Sequence, residues 1–198
     1  MEPGNPRDKQ IMAPANDSKS RVFWRKVIEW VQVIVIALAI SLPIRFFIAE
    51  PFIVDGASMD PTFDSRQFLI VDRLSYRFNA PSRQDVIVFR YPKNPSTYFI
   101  KRIIGLPGET VEIKDGQVSI SSPLASTTTI ILNEPYISSD HRSYENLKVT
   151  LDSNEYFVMG DNRANSSDSR VWGSLDKDLV IGRPVIRFLP PAILPGKI

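Results

Sequence analysis

The chain has 198 residues with a formal net charge of +2, a balance too small to indicate a nucleic-acid partner. It has no cysteine, which excludes disulfides, a thiol nucleophile and a cysteine zinc site. Its single histidine, His141, makes a zinc site built on histidines improbable, so we expect no metal and no other cofactor. The length suffices for one domain with a well-formed core and one appended segment.

The first 26 residues form a polar, basic segment. They are rich in Pro, Asn, Asp, Ser and Lys, and six basic side chains against three acidic ones give them a net charge of +3. Such a segment has too few apolar groups to form a core. We predict that residues 1–26 are a disordered tail.

A single long apolar run follows the tail. Residues 30–44 carry no charge, and the run extends over residues 27–49 if Glu29 and Arg45 lie at the two membrane surfaces. About 20 apolar residues are needed to cross a bilayer as a helix. The sequence therefore predicts a transmembrane helix over 27–49. Basic residues precede this run without an excess after it, which predicts a cytoplasmic tail and a main domain across the membrane.

A cleavable signal peptide is the competing interpretation of this run. A basic region, an apolar stretch and the small-residue triplet Ala37-Leu38-Ala39 are all present. However, the triplet lies inside the apolar run, and cleavage there would leave residues 30–36 as an unusually short apolar region. We therefore favour the anchor.

Residues 50–198 have the pattern of a mainly β, antiparallel domain. Short segments rich in β-branched and aromatic residues alternate with turn residues, at 52–54, 67–72, 85–91, 98–104, 110–114, 155–159 and 180–189. Asp115-Gly116 between two such segments predicts a hairpin. Residues 121–150 are polar, so we expect a small accessory β region at about 115–150. We expect no helical period after residue 50.

The stretch Gly56–Thr62 presents a candidate nucleophile. Gly56 and Ala57 leave room beside Ser58, and Pro61 prevents a regular helix. Serine is a weak nucleophile and needs a base. Without one, the same residues are an ordinary surface turn.

Lys101 is the candidate base. In a strand it shares a face with Phe99 and Ile103, and burial among apolar groups lowers the pKa of a lysine. A pKa near 8 would leave about a tenth of the amine neutral at pH 7. The alternative is an edge-strand lysine whose ammonium stays in water.

A third segment, residues 160–170 (GDNRANSSDSR), decides between these alternatives. Together with residues 58–62 (SMDPT) and 98–109 (YFIKRIIGLPGE), it resembles bacterial type I signal peptidases. These are membrane-anchored Ser/Lys endopeptidases that remove signal peptides from exported preproteins. The resemblance covers residues 27–198, with the motifs in matching order and an N-terminal anchor.

The resemblance implies a role for each motif residue. Ser58 would be the nucleophile, with its backbone N–H donating to the oxyanion, and Lys101 the general base. Ser166 matches the serine that orients the lysine. We interpret four further charged residues as structural pairs that hold the 160–170 loop near the dyad; they are Arg102, Asp161, Asp168 and Arg170. This loop lacks the glycine and the acidic residue of a calcium loop.

The sequence departs from the family pattern at three places. Many relatives have, at the position of Gly56, a serine whose hydroxyl assists the oxyanion. The identity of the second oxyanion donor is therefore open in this chain. A tyrosine common two residues before the lysine is Phe99 here, and residues 64–67 lack the glycine usual in that stretch.

The resemblance also implies substrates and a location. Family substrates are preproteins with small residues at −1 and −3, typically Ala-X-Ala, so we expect shallow apolar pockets. The candidate walls are Ile53, Met59, Phe99 and Ile103. We expect contact with the lipid bilayer, in which residues 51–54 would keep an apolar flank against lipid. The expected membrane is a bacterial plasma membrane, with a thylakoid-type membrane as the alternative.

Two other functional classes are compatible with parts of this pattern. One is a different Ser/Lys hydrolase, such as a self-cleaving repressor-type protease, which would need neither the anchor nor the 160–170 loop. The other is a membrane-anchored β module without enzymatic activity, in which Ser58 and Lys101 are incidental.

Overall fold

A computed structural model describes residues 17–43, 49–122 and 129–188. The chain divides into two compact units, Met1–Ile44 and Arg45–Ile198. Among the described residues, the first unit contains one helix and the second contains all the strands.

Helix α1 spans Asp17–Pro43 and differs from the predicted 27–49 at both ends. It begins ten residues earlier, so residues 17–26, which we predicted to be disordered, are helical. Within this helix Arg25 pairs with Glu29 one turn later, at 3.5 Å. Residue 49 belongs to a strand, while the predicted tail residues 1–16 lie outside the described part.

Residues Arg21–Pro43 of α1 are long and apolar enough to cross a membrane. These 23 residues include an 18-residue window with a mean hydropathy of 1.8. At 1.5 Å per residue they extend about 34 Å, slightly more than a hydrocarbon core of about 30 Å. None of the side chains in this window is buried within the structure.

The second unit is an antiparallel β structure, as predicted. Its strands are β1 (Ala49–Ile53), β2 (Phe68–Asp72), β3 (Val86–Tyr91), β4 (Asn94–Gly105), β5 (Thr110–Lys114), β6 (Gln117–Ser121), β7 (Thr129–Ile131), β8 (Leu147–Thr150), β9 (Glu155–Met159), β10 (Leu175–Asp176) and β11 (Val180–Phe188). In the part of this unit that the structure describes, helical structure is limited to the single turns α2 (Ser75–Phe78) and α3 (Ser169–Trp172) and to short 3-10 turns.

The strands form two sheets. The larger has the order β1-β2-β11-β3-β4-β9-β10 and the smaller the order β7-β6-β5-β8. Strand β1 is an edge strand, which explains why it tolerates Pro51. The smaller sheet already begins at Thr110, earlier than the predicted 115, because β5 pairs with both β6 and β8. Strands β7 and β8 lie within the stretch predicted to be a polar excursion.

Strands β4 and β9 lie between two buried apolar clusters. Ile103 and Val158 are register partners and belong to one cluster, with Ile87, Phe89, Tyr156 and Leu175. Their sequence neighbours Ile104 and Phe157 belong to the other, beside the smaller sheet. Because both faces of β4 are covered at this end, a polar side chain in β4 is removed from water.

Candidate active site

Ser58 lies in the turn that connects β1 to β2. The chain leaves β1 through Gly56, whose φ of +97° favours glycine, and the Asp60 N–H then donates to the Ala57 carbonyl at 3.2 Å. A second anchor comes from the 160–170 loop. The backbone N–H of Asn162 donates to the Ser58 carbonyl at 3.1 Å, and its side-chain amide donates to the Ala57 carbonyl at 3.2 Å. Ser58 is thus fixed from two sides.

Lys101 reaches Ser58 from strand β4. Its Nζ lies 2.7 Å from the Ser58 Oγ and 2.9 Å from the Ile100 carbonyl oxygen. The residue is only 4% exposed, and the Phe99 ring lies 5.2 Å from Nζ. The structure therefore brings the candidate nucleophile and the candidate base within hydrogen-bond distance.

Burial lowers the pKa of Lys101 to about 8. The carboxylates of Asp168 and Asp161 act in the opposite direction, because negative charge favours the ammonium form. Desolvation dominates, so about a tenth of the amine is neutral at pH 7. A neutral amine next to a hydroxyl can accept its proton.

Ser166 lies next to Gly160, and its hydroxyl has no hydrogen-bond partner among the described residues. The hydroxyl is buried and close enough to Asp168 to contribute to lowering the pKa of that carboxyl. The two polar contacts of Lys101 go to Ser58 and Ile100. The lysine-orienting role of Ser166 thus remains a prediction.

Gly160 explains how the loop approaches the nucleophile so closely. A Cβ at this position would lie 2.4 Å from the Ser58 carbonyl oxygen and 2.3 Å from the Ser166 Oγ. Both distances are too short for any side chain. Only glycine permits the loop to pack between these two serines.

The four charged residues that we interpreted as structural form two buried pairs. Arg102 binds both carboxylate oxygens of Asp161, at 2.8 and 2.6 Å, and Arg170 binds both oxygens of Asp168, at 2.8 Å each. Asp168 also accepts the Gly160 N–H at 3.0 Å. Burial alone would raise the pKa of Asp168, but Arg170 and the Gly160 amide lower it, and the net shift is downward.

A cleft of about 370 Å³ opens beside the dyad. Two of the four predicted pocket walls, Ile53 and Phe99, line it. The other two were predicted wrongly, because Met59 is 1% exposed and Ile103 is 0% exposed. Ile103 does lie on the same face of β4 as Lys101, but core side chains cover that face where Ile103 lies.

Sequence reasoning missed several cleft residues. Tyr98 lies in the cleft wall and packs edge-on against Phe52, with ring centroids 5.2 Å apart. Asn165 and Ser167 extend the lining from the 160–170 loop. The motif contains both residues, but spacing alone does not reveal which of its side chains face the cleft.

The turn between β1 and β2 also determines which backbone amides lie near the position of the oxyanion. Gly56 lines the cleft, and its N–H is directed to the Ser65 Oγ at 3.4 Å. Within the described part of the chain, no group accepts a hydrogen bond from the Ser58 N–H. The Ser58 amide is therefore free for a ligand, whereas Gly56 offers open space and no hydroxyl.

No cluster of metal-binding side chains occurs in the described residues, which contain no group of three or more His, Asp or Glu placed to hold a cation. The lone His141 contacts Asp60 and Asp140, with Nε2 at 3.4 and 3.6 Å from their carboxylate oxygens.

Comparison with known proteins identifies the family. The family model described as signal peptidase, peptidase S26, matches residues 27–189. A signal peptidase I of Leptolyngbya laminosa is 41% identical over 83% of this chain and 80% of its own length. A probable signal peptidase I-1 of Synechocystis is 37% identical over 84% of this chain and 85% of its own length. The chain belongs to the signal peptidase family, peptidase S26.

Proposed function

We propose that this protein is a membrane-anchored serine endopeptidase that removes signal peptides from exported preproteins. The observation that carries the proposal is the 2.7 Å separation between the Ser58 Oγ and the Nζ of the buried Lys101. Relatives named signal peptidase I support the substrate class.

In the proposed mechanism, the neutral Lys101 amine takes the Ser58 proton while Oγ attacks the scissile carbonyl carbon. The resulting oxyanion accepts a hydrogen bond from the free Ser58 N–H. The Lys101 ammonium then protonates the leaving amine, the C–N bond breaks, and an acyl ester on Ser58 remains. A water molecule gives its proton to Lys101 and attacks the ester, and the proton returns to Ser58 as the acid is released.

The shape of the cleft supports a preference for small side chains. Ile53, Phe99 and the Phe52–Tyr98 pair are bulky walls around a space that also has to hold backbone. Small residues at −1 and −3, as in Ala-X-Ala, would fit next to these walls without displacing them.

Two features support membrane attachment. The exposed apolar helix Arg21–Pro43 has the length of a membrane span. In the second unit, large apolar side chains are exposed on neighbouring strands β1, β2 and β11; they are Ile53, Phe68, Val185, Ile186 and Phe188. Exposed apolar patches of this kind mark contacts with lipid or protein. We propose a single-pass protein with a cytoplasmic N-terminus, in a bacterial plasma membrane or a thylakoid-type membrane.

The test is cleavage of a preprotein by the purified full-length protein in detergent. We expect cleavage after Ala-X-Ala, loss of cleavage in both Ser58→Ala and Lys101→Ala with retained circular dichroism, and no effect of a chelator. A preprotein left intact by the folded wild type contradicts the proposed activity. Cleavage that survives either substitution removes that residue from the mechanism.

A further inference from the structure

One loop of the second unit contacts all three candidate catalytic segments. Residues 132–146, here called the clamp loop, connect β7 to β8 of the smaller sheet. Its Tyr136 ring lies 4.0 Å from the Arg102 guanidinium, next to Lys101, and its His141 lies 3.4 Å from Asp60, near Ser58. A third contact, made by Glu134, reaches the 160–170 loop.

The Glu134 contact is the most buried of the three. Both carboxylate oxygens bind the guanidinium of Arg163, whose side chain is 4% exposed, while that of Glu134 is 10% exposed. The Tyr136 hydroxyl donates to the same carboxylate at 2.8 Å. A buried guanidinium depends on such a partner, because an unpaired charge in the interior is strongly unfavourable.

Arg163 connects Glu134 to the backbone next to Ser58. Its Nε donates to the Gly160 carbonyl at 3.0 Å, and Gly160 packs against Ser58 without room for a Cβ. The next residues continue the contact, since Asn162 donates twice to the Ala57–Ser58 backbone. A shift of Arg163 would therefore move the carbonyl of the nucleophile.

We propose that Glu134 is a positioning residue for the Ser58–Lys101 pair and acts through Arg163 and Gly160. This inference rests on the proposed peptidase function. Glu134 touches neither the reacting groups nor the cleft lining, so its contribution is the placement of Ser58 and the exclusion of water from Lys101.

A positioning role predicts a change in the pH dependence of kcat/KM that a loss of stability alone would not produce. If the 160–170 loop loosens, water reaches Lys101 and the pKa of its amine rises toward the ordinary value. The rise of kcat/KM with pH, which reports groups of the free enzyme, then moves to higher pH. A displacement of about 1 Å at the reacting groups lowers the rate by up to about 100-fold.

The experiment compares Glu134→Gln, Arg163→Gln and the double variant with the wild type on one preprotein. For Glu134→Gln we expect kcat to fall at least about tenfold, KM to change less than about twofold, and the pH profile to move upward. The double variant should lose no more than Arg163→Gln alone, because groups that act in series are not additive.

Two controls separate positioning from stability. Glu112→Gln removes a carboxylate from strand β5 of the smaller sheet. This side chain is 45% exposed and pairs with Lys148, so the substitution should leave the kinetics unchanged. Val118→Ala removes core volume from the same sheet and should lower the denaturation midpoint without moving the pH profile.

A wild-type profile in Glu134→Gln, an equal pH shift in Val118→Ala, or additive losses in the double variant would each overturn the proposal. These outcomes all require a wild type that cleaves. An inactive, folded wild type instead removes the proposed function on which the positioning role rests.

Discussion

The Nζ of Lys101 lies 2.7 Å from the Oγ of Ser58, although 43 residues separate them in the chain. The turn after the edge strand β1 provides the serine, and the central strand β4 provides the lysine. Because an edge element holds the hydroxyl and a covered strand holds the amine, the hydroxyl borders an open cleft while the amine is kept from water.

The first prediction is that Lys101→Met inactivates the protein but stabilises it. The pKa of Lys101 is lowered in the folded state from 10.5 to about 8. Between these values the unfolded chain binds more protons, so stability rises with pH across this window, and below it the full penalty for the buried charge remains. The shift corresponds to at most about 3 kcal/mol at pH 7. Urea denaturation at pH 7 and pH 10 should show a gain for Lys101→Met that shrinks at the higher pH.

The activity of the wild type provides the matching measurement. Because only the neutral amine accepts the Ser58 proton, kcat/KM should increase with pH up to about 8 and then level off with respect to this group. A gain in stability that is equal at both pH values, or a rate that falls between pH 6 and 8, would contradict this account.

The second prediction concerns Gly160→Ala. The added Cβ would lie 2.4 Å from the Ser58 carbonyl oxygen, a backbone atom that cannot rotate away. We expect cleavage to fall at least about 100-fold, since small displacements at the reacting groups have effects of this size. Gly108→Ala is the control: its φ is +77°, but no atom lies within 4 Å of the added Cβ, so it should strain the backbone without affecting cleavage. Equal activity of the two variants would show that the close approach is dispensable.

The third prediction is that Arg66→Gly stabilises the protein. Arg66 has a φ of +69°, a backbone conformation that favours glycine. A residue with a Cβ is disfavoured by about 1–2 kcal/mol in this region, which the greater flexibility of glycine in the unfolded chain offsets only partly. We expect a gain of about 0.5–1 kcal/mol. Arg66→Ala removes the same side chain without relieving the backbone and should show no gain in urea denaturation.

The fourth prediction separates a cleft wall from the core with two identical substitutions. Ile53 is 61% exposed and lines the cleft, whereas Ile103 is fully buried and does not. Ile53→Ala should change stability little and allow larger residues at −1 or −3 of the substrate. Ile103→Ala should lower the free energy of unfolding by about 2–5 kcal/mol and leave the preference unchanged. Cleavage of preproteins with Ala, Val or Leu at these sites, together with denaturation curves, measures both effects.

The sequence by itself determined the local features of this protein. The apolar run predicted the helix, segments rich in β-branched and aromatic residues between turn residues predicted most strands, and Asp115-Gly116 predicted the hairpin, because each depends on residues close together in the chain. Three motifs in order were enough for the family resemblance. The two-residue period of a strand placed Lys101 on an apolar face, since side chains two residues apart in a strand point the same way.

The tertiary structure decided which groups meet. Alternation showed that Phe99, Lys101 and Ile103 share a face, but only the packing of two clusters around β4 buries Ile103 and leaves Phe99 in the cleft. No local signal joins Glu134 to Arg163, which are 29 residues apart, since two charged side chains pair only where the fold brings them together. Burial, and with it the lowered pKa of Lys101, likewise arises from neighbours that are distant in sequence.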